Sequence, residues 1–264
     1  MSDKGDRRRR TDADGVLVRA FRVLTSFSED APELTAIEIA ERTGLPLSTV
    51  HRLLARLIDL RAIARTSEHA YALGLGVWEL GELSYPALGM REQAVPYLTR
   101  LYEITGETVH LAVLDAPTPA DATALLIARL VGRRSTPTMG RPGGRYPLHT
   151  TAVGKVLLST RTGTWLGEYL AQPLAPRTPR SIVTRKGLLG ELARVRSREF
   201  ATTIDEMRTG TSSVAARVKV PEGMPPAALG VVVATKGVDQ QRLATHVVHT
   251  AQELGRELTQ SDRG

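Results

Sequence analysis

The stretch TAIEIAERTGLPLSTVHRLLARLIDLR, residues 35–61, decides the fold of the N-terminal part of the chain. A helix is predicted to start at Thr35, because a Thr followed three residues later by Glu38 fits a capping box for the free amides of the first turn. Gly44 can adopt the positive φ with which helices commonly end, and Pro46 forbids simple continuation of that helix. The pattern therefore predicts a helix followed by a tight turn.

A second helix, starting at Ser48 or Thr49, is predicted to have one apolar and one polar face. The apolar positions recur at helical spacing at Val50, Leu53, Leu54, Leu57 and Ile58. The polar face and its leading end carry Ser48, Thr49, His51, Arg52 and Arg56. Such an exposed N-terminal end suits a DNA major groove, with Thr49 and Arg52 nearest the base edges. An ordinary surface helical hairpin with solvated arginines is the alternative.

The flanking segments complete a small domain. Residues 16–27 predict a third helix with an apolar face formed by Leu17, Ala20, Phe21 and Leu24. Residues 62–73 hold two short runs around a polar turn, which predicts the β-hairpin of a winged helix-turn-helix. Arg65 and His69 would then lie near the phosphate backbone. A simple loop is the alternative interpretation of so short a segment.

The second half of the chain mixes helical and strand periods, which predicts an α+β domain with helices packed on an antiparallel sheet. After a short helix with Val77, Leu80 and either Leu83 or Ser84 on one side, Pro86 and Gly89 are expected to break the pattern. Strands are predicted at 108–114, 124–130, 201–204, 213–220 and 228–234, and helices at 91–104, from Thr150 or Thr151 to 159, from Thr184 through Val195, and at 240–260.

Composition narrows the possible partners. A formal charge of +7 favours a polyanionic partner. Acidic and basic residues nearly balance over residues 1–75, however, and the local excess lies between 47 and 65. Residues 1–14 are expected to form a disordered basic arm, which either strengthens nucleic-acid binding or is merely solvated. The absence of cysteine excludes disulfides and thiolate metal sites.

The sequence gives no sign of membrane insertion or export. It holds no run of about eighteen apolar residues, and the basic N-terminal run is not followed by an apolar region. The expected location is the cytoplasm, in association with the nucleoid.

The chain resembles the IclR family of transcriptional regulators over nearly its whole length. The motifs that carry the resemblance are RAFRVL (19–24), LPLSTVHRLLARL (45–57), YALG (71–74), ELG (79–81), TGETVHL (105–111), YPLHTTAVGK (146–155) and GTSSVA (210–215). The resemblance implies a winged helix-turn-helix at 15–75, a linker and dimerisation helix at 76–90, and a GAF-like effector-binding domain at 91–264. It further implies operator DNA, a small organic effector, and a homodimer or homotetramer.

The resemblance also implies an effector pocket in the second domain. Carried over to this sequence, its residues are Ala152, Val153, Thr203, Ser213, Val231 and Val233. Free amides at the start of the helix that begins near Ala152 would attract a carboxylate. The wholly apolar run at 230–234 argues against a very small polar acid. Simple core packing is the alternative role for each of these residues.

Enzymatic motifs are not supported by the sequence. A Walker A loop would need Gly where His149 stands and a hydroxyl where Val156 follows Lys155. His246 and His249 lack the partners of a metal site, and Ser213 has no nucleophile elbow. We therefore predict no catalytic residues, no metal and no cofactor. The remaining alternative is a purely structural dimerisation domain that binds no ligand.

Overall fold

The computed structural model describes residues 15–28, 30–83, 85–132 and 140–261. The chain divides into two compact units, residues 1–85 and 86–264. The predicted basic arm, residues 1–14, lies outside the described residues.

The N-terminal unit is a helix-turn-helix with a three-stranded antiparallel sheet. Its elements are α1 (Val16–Leu24), β1 (Glu33–Thr35), α2 (Ala36–Thr43), α3 (Leu47–Asp59), β2 (Ile63–Arg65), β3 (Ala70–Leu73) and α4 (Leu75–Glu82). The strand order is β1-β3-β2. The pair β2–β3 is the hairpin predicted from the sequence. Strand β1, which pairs with β3 on the other side, was not predicted.

The turn between α2 and α3 forms as the sequence predicts. The Thr35 hydroxyl accepts a hydrogen bond from the Glu38 amide, and the Glu38 carboxylate accepts one from the Thr35 amide at 2.8 Å. Gly44 ends α2 with φ of 70°. Helix α3 begins at Leu47, one residue earlier than predicted, with Pro46 at the N-cap position and no side-chain cap.

The core of this unit confirms most of the predicted face of α3. Its buried residues are Val50, Leu53, Leu54 and Leu57, whereas Ile58 is 36% exposed. Half of the predicted face of α1 is wrong: Ala20 and Leu24 pack against the core, but Leu17 and Phe21 are largely exposed. Val23, which was not predicted on that face, is fully buried. The apolar residues of α1 form a broad arc opposite Arg19 and Arg22, wider than the part that packs on the core, so helical periodicity alone could not select the buried side.

The C-terminal unit is built on a six-stranded antiparallel sheet with strand order β6-β5-β4-β9-β8-β7. Its elements are α5 (Tyr85–Thr105), β4 (Thr108–Asp115), β5 (Thr123–Leu130), β6 (Arg145–Pro147), α6 (Ala152–Ser159), α7 (Gly163–Tyr169), α8 (Arg185–Arg198), β7 (Phe200–Ile204), β8 (Thr211–Val218), β9 (Ala227–Ala234) and α9 (Gln240–Ser261). This confirms the predicted α+β class. Strand β6 and helix α7 were not predicted.

Helix α5 corrects one sequence expectation. Pro86 and Gly89 lie within it rather than ending a helix. Pro86 is the second residue of α5, in the first turn, where no amide donor is needed within the helix. Leu98 and Leu101 of α5 are buried, whereas Val95 is 48% exposed.

Each face of the large sheet carries its own apolar core. On one face, α5 and α9 pack on alternate residues of the central strands, including Val109, Val231 and Val233. On the other face, α6 and α8 pack on the intervening residues, including Ala112 and Ala228. The central strands are therefore buried on both sides, which explains their long apolar runs.

None of the described helices is long and apolar enough to cross a membrane. The described residues also contain no cluster of three or more His, Cys, Asp or Glu side chains that could hold a metal ion.

Candidate functional site

Helix α3 presents a polar surface that its own core packing leaves free. Ser48, His51, Arg52 and Arg56 are exposed, whereas Thr49 is only half-exposed. Because Pro46 offers no side-chain cap, the amides of Leu47 and Ser48 are available to an external acceptor such as a phosphate oxygen, while the Thr49 amide donates to the Pro46 carbonyl. This arrangement is chemically suited to a DNA backbone and to base edges.

The hairpin β2–β3 places its two predicted contact residues differently. The Arg65 guanidinium donates to the Tyr71 hydroxyl at 3.2 Å and stacks over its ring, so its side chain is fixed while remaining exposed. His69 lies in the turn, exposed beside Glu68. Of the two residues, Arg65 is therefore the better positioned to contact a phosphate.

The C-terminal unit contains a cavity of about 390 Å³ between the sheet and the start of α6. Its lining combines apolar side chains, hydroxyls and two arginines. The lining residues are Thr108, His110, Leu126, Arg129, Gly140, Tyr146, Thr151, Ala152, Val153, Thr203, Met207, Arg208, Thr211, Ser213 and Val232. Among these described residues there is no carboxylate, so the charge of the lining favours an anionic ligand.

The floor of the cavity consists of two adjacent rows of cross-strand neighbours. One row runs across four strands, from Thr108 through Val232 and Ser213 to Thr203. The Thr203 and Ser213 hydroxyls lie 2.5 Å apart and share a hydrogen bond. The next row pairs Arg129 with His110 and His110 with Gly230. The first row is thus mostly hydroxylic and the second is basic.

Arg129 reaches this face because β5 contains a bulge. The pairing of β4 with β5 shifts between Leu111 and Ala112, so Ile127 is an extra residue in β5. The bulge places Leu126 and Arg129 on the same face, although strict alternation would separate residues three apart. The Arg129 guanidinium donates to the Gly140 carbonyl, which orients it at the cavity wall.

His110 is buried and uncharged at this site. Burial, together with the neighbouring Arg129, lowers the pKa of His110 from 6.5 to about 4. Desolvation disfavours the charged imidazolium, and a nearby cation disfavours it further. At neutral pH the ring is therefore a neutral hydrogen-bonding group rather than a third cation.

The start of α6 borders the same cavity. The Thr151 hydroxyl caps α6 by accepting a hydrogen bond from the Gly154 amide at 3.1 Å. Ala152 and Val153, the first two residues of the helix, line the cavity. Their amides lack partners within the helix and carry its positive dipole end, which favours an anionic group.

The loop between β7 and β8 closes one side of the cavity with Met207 and Arg208. Preceding residues fix this loop: the Asp205 carboxylate accepts hydrogen bonds from the Gly210 amide and the Thr235 hydroxyl. The Glu206 carboxylate pairs with Lys155 of α6 at 2.6 Å, and both side chains are buried. An ion pair therefore ties the loop to the helix that starts at the cavity.

Of the six residues predicted to line the effector pocket, the structure places four in the cavity and two elsewhere. Ala152, Val153, Thr203 and Ser213 line the cavity. Val231 and Val233 do not, because both pack in the core on the opposite face of the sheet. Val232 lies on the cavity side instead, so the expectation for β9 was wrong by one residue, which in a strand inverts the face.

Several lining residues were missed by sequence reasoning. Arg129 depends on the bulge in β5, and Arg208 lies on a loop with no periodicity. His110 lies in the TGETVHL motif, where the alternation of Thr108 and His110 with Val109 and Leu111 separates a polar from an apolar face. That alternation was the available signal for β4.

Comparisons with known proteins account for both units. The family model of the IclR helix-turn-helix domain matches residues 16–67, and that of the C-terminal domain of bacterial IclR transcriptional regulators matches residues 85–259. This chain belongs to the IclR family. It is accordingly a DNA-binding transcriptional regulator with a ligand-binding C-terminal domain, and the family is one of regulators rather than enzymes.

Relatives and solved structures agree with this assignment. The regulator is 33% identical to the HTH-type transcriptional regulator XynR of Escherichia coli K12, over 86% of this chain and 88% of XynR. It is 30% identical to the regulator BhcR of Paracoccus denitrificans, over 84% and 79% of the two chains. The crystal structure of an IclR homolog from Microbacterium hydrocarbonoxydans, complexed with 4-hydroxybenzoate, aligns with a TM-score of 0.85 at 25% identity, covering 93% of this chain and 99% of that one.

Proposed function

We propose that this regulator binds operator DNA through α3 and changes its affinity for that DNA when an organic carboxylate occupies the cavity beside α6. The observation that carries the effector proposal is the lining itself: two arginines and a helix N-terminus, with no described carboxylate, around apolar walls. The proposed effector has an acidic group and an apolar body.

On the DNA side, we propose Thr49 and Arg52 as the residues nearest base edges, and Arg56 on phosphate or base. Ser48 and His51 lie at the leading end of the helix, and Arg65 and His69 of the hairpin contact the phosphate backbone. The exposed polar face of α3 supports this assignment. A regulator bound in this way would be found with the nucleoid.

Operator binding by variants tests this assignment. Arg52→Ala should weaken operator binding by about 1–3 kcal/mol and relax base preference, because a bidentate base contact is lost. Arg65→Ala should weaken binding to all DNA sequences alike. It should also reduce the magnitude of the slope of log affinity against log salt concentration by about one unit. Arg185→Ala, an exposed change in the other unit, is the matched charge control. Unchanged affinity and base preference in Arg52→Ala would show that α3 does not read the operator.

We also propose a homodimer, with the segment at 76–90 contributing to its interface. Large apolar side chains are exposed on two helices of the N-terminal unit: Val16, Leu17, Val18 and Phe21 on α1, and Leu75, Trp78 and Leu80 on α4. One recognition helix covers only a few base pairs, so genomic specificity favours paired half-sites. A dimer of two such dimers would give a tetramer.

Light scattering of the purified protein tests the dimer. Leu80→Glu should lower the average mass and weaken operator binding, because a charge would be buried in the interface. Val183→Glu, on an exposed residue of the other unit, is the control. A wild-type monomer at micromolar concentration that still bound its operator would refute the dimer.

The effector proposal is tested by a thermal-shift screen of organic acids, followed by operator titrations with each compound that binds. We use 4-hydroxybenzoate as the first probe because a structural neighbour was crystallised with it. A coupling of about 1–3 kcal/mol, or about 5–150-fold in DNA affinity, is the expected scale. Val232→Phe should fill the cavity and remove the response, whereas Val183→Phe should retain it. If no compound alters DNA affinity, the C-terminal unit is a structural dimerisation domain without a ligand.

A further inference from the structure

The imidazole of His110 is a buried polar group that the protein itself leaves without a hydrogen-bond partner. Only 7% of the residue is exposed, and it lines the cavity. No hydrogen bond of its ring nitrogens exists within the described part of the chain, although buried polar groups are nearly always paired. This unpartnered group points to a ligand atom as its partner.

Gly230 explains how the ring reaches its position. A Cβ built on Gly230 would lie 2.9 Å from His110 Nε2 and 2.9 Å from Val153 Cγ1, closer than real Cβ contacts allow. The absence of a side chain on β9 therefore lets the imidazole lie across that strand, next to the first turn of α6. His110 thus lies between a helix N-terminus and its cross-strand neighbour Arg129.

Three features of this corner favour the same kind of ligand group. Arg129 is a cation, the first amides of α6 carry the positive end of the helix dipole, and the neutral imidazole holds one N–H donor. The low pKa of His110 keeps the ring from adding a buried charge of its own. An anionic oxygen placed here would accept hydrogen bonds from several directions.

We infer that His110 is a specificity-determining residue that donates its ring N–H to the carboxylate of the effector, at the corner between Arg129 and the start of α6. This inference rests on the proposed effector function and names where its acidic group binds. The apolar body of the effector then extends over Val232 toward the row of hydroxyls formed by Thr203 and Ser213.

The test compares the wild-type protein with His110→Gln and His110→Leu. Glutamine retains a hydrogen-bond donor, whereas leucine removes it. Calorimetry is run with benzoate, 4-hydroxybenzoate, hexanoate and adipate, and with 4-hydroxybenzyl alcohol as an analogue that lacks the carboxylate. At least one acid should bind the wild type. That acid should bind His110→Leu tenfold or more weakly and His110→Gln within about threefold of wild type, since bonds to charged groups are the stronger ones.

A spectroscopic measurement and a second variant distinguish the loss of the His110 hydrogen bond from misfolding of the His110 variants. Nitrogen-15 NMR of the full-length protein should show a neutral His110 ring whose N–H signal shifts when the binding acid is added. Gly230→Ala should weaken the binding of the same acid although the new methyl group does not contact the carboxylate, because that methyl group displaces the His110 ring. Thermal unfolding of each unliganded variant shows whether its fold is intact.

Three results would overturn the inference: no acid bound at 10 mM, wild-type affinity in a folded His110→Leu, or an unperturbed His110 signal on binding. Its failure differs from failure of the proposed function. If an acid changed the operator affinity of the wild type and of a folded His110→Leu alike, the regulator would still be a sensor of organic acids and only the role of His110 would be wrong. If none of the compounds changed operator affinity, the proposed function itself would fail.

Discussion

Replacing Lys155 with methionine should destabilise the C-terminal unit by about 3–5 kcal/mol at pH 7, which is the usual cost of breaking a buried ion pair. Lys155 is 1% exposed, and its ammonium donates to Glu206 Oε1 at 2.6 Å and to the Thr202 carbonyl at 3.2 Å. Methionine keeps the apolar stem but leaves the Glu206 carboxylate without its cation. The other oxygen of Glu206, Oε2, is already buried without a partner.

The loss of unfolding free energy in Lys155→Met should become smaller as the pH falls. Burial raises the pKa of Glu206 above its ordinary value of 4.5, while Lys155 lowers it and Glu191 raises it. Removing the lysine should therefore raise that pKa further. The folded variant then holds a proton that the unfolded chain releases, so the stability of the variant rises as the pH falls. The deficit should be smaller at pH 5.5 than at pH 7.

Urea unfolding can follow the C-terminal unit alone. Trp78 and Trp165 are the two tryptophans of the chain, so a Trp78→Phe background leaves only Trp165, which packs against the core beside α6, as the fluorescent probe. Lys155→Met with Glu206→Gln should recover much of the loss, because both charges are gone. Arg194→Met, which removes an exposed cation from Glu191, is the control and should cost under about 1 kcal/mol. A loss below about 1 kcal/mol in Lys155→Met, or a deficit independent of pH, would refute this reasoning.

Three further outcomes are expected from unfolding measurements. Gly44→Ala should destabilise the N-terminal unit by about 1 kcal/mol through backbone strain at φ of 70°, since its Cβ would meet no other atom, and Gly44→Asn should cost less; equal stability of all three proteins would contradict this. Thr35→Ala should cost about 1 kcal/mol by removing the cap of α2, as seen by circular dichroism, with Thr66→Ala as an exposed control. Between pH 7 and pH 5, the free energy of unfolding of the wild type should fall by about 2 kcal/mol relative to that of His110→Gln. The reason is that the pKa of His110 is about 4 in the folded protein and 6.5 in the unfolded chain, so stability is lost as the pH falls. Parallel pH profiles of the two proteins would exclude a buried neutral imidazole.

The helix-turn-helix was predictable because its determinants are local. Thr35, Glu38 and Gly44 act within one or two turns of each other, and all three take the expected roles. The apolar spacing of α3 is sharp enough to give its buried face. In α1 the same method gave only part of the buried face, since the apolar arc is broad and only tertiary packing selects Val23 over Phe21.

The cavity was less predictable because its residues depend on non-local pairing. The apolar run of β9 has no alternation, so the sequence alone cannot say whether Val231 or Val232 faces α6. Its partner β4 does alternate, and the register that pairs Thr108 with Val232 transfers that information to β9. Arg129 required the bulge at Ile127 as well, which no local pattern indicates.

The place of the cavity follows from a gradient of side chains along one face of the sheet. Under the body of α6, the neighbouring residues Ala112 and Ala228 are small and apolar, so the helix packs closely on them. Two and four residues before Ala112 in β4, the same face carries the polar side chains of His110 and Thr108. These two residues lie at the start of α6. Close packing of apolar side chains cannot continue over the imidazole of His110, which lacks a hydrogen-bond partner among the described residues, because desolvating it is costly. The sheet and helix therefore separate where the free amides of α6 lie, and the void that forms already has donors on both its floor and its roof.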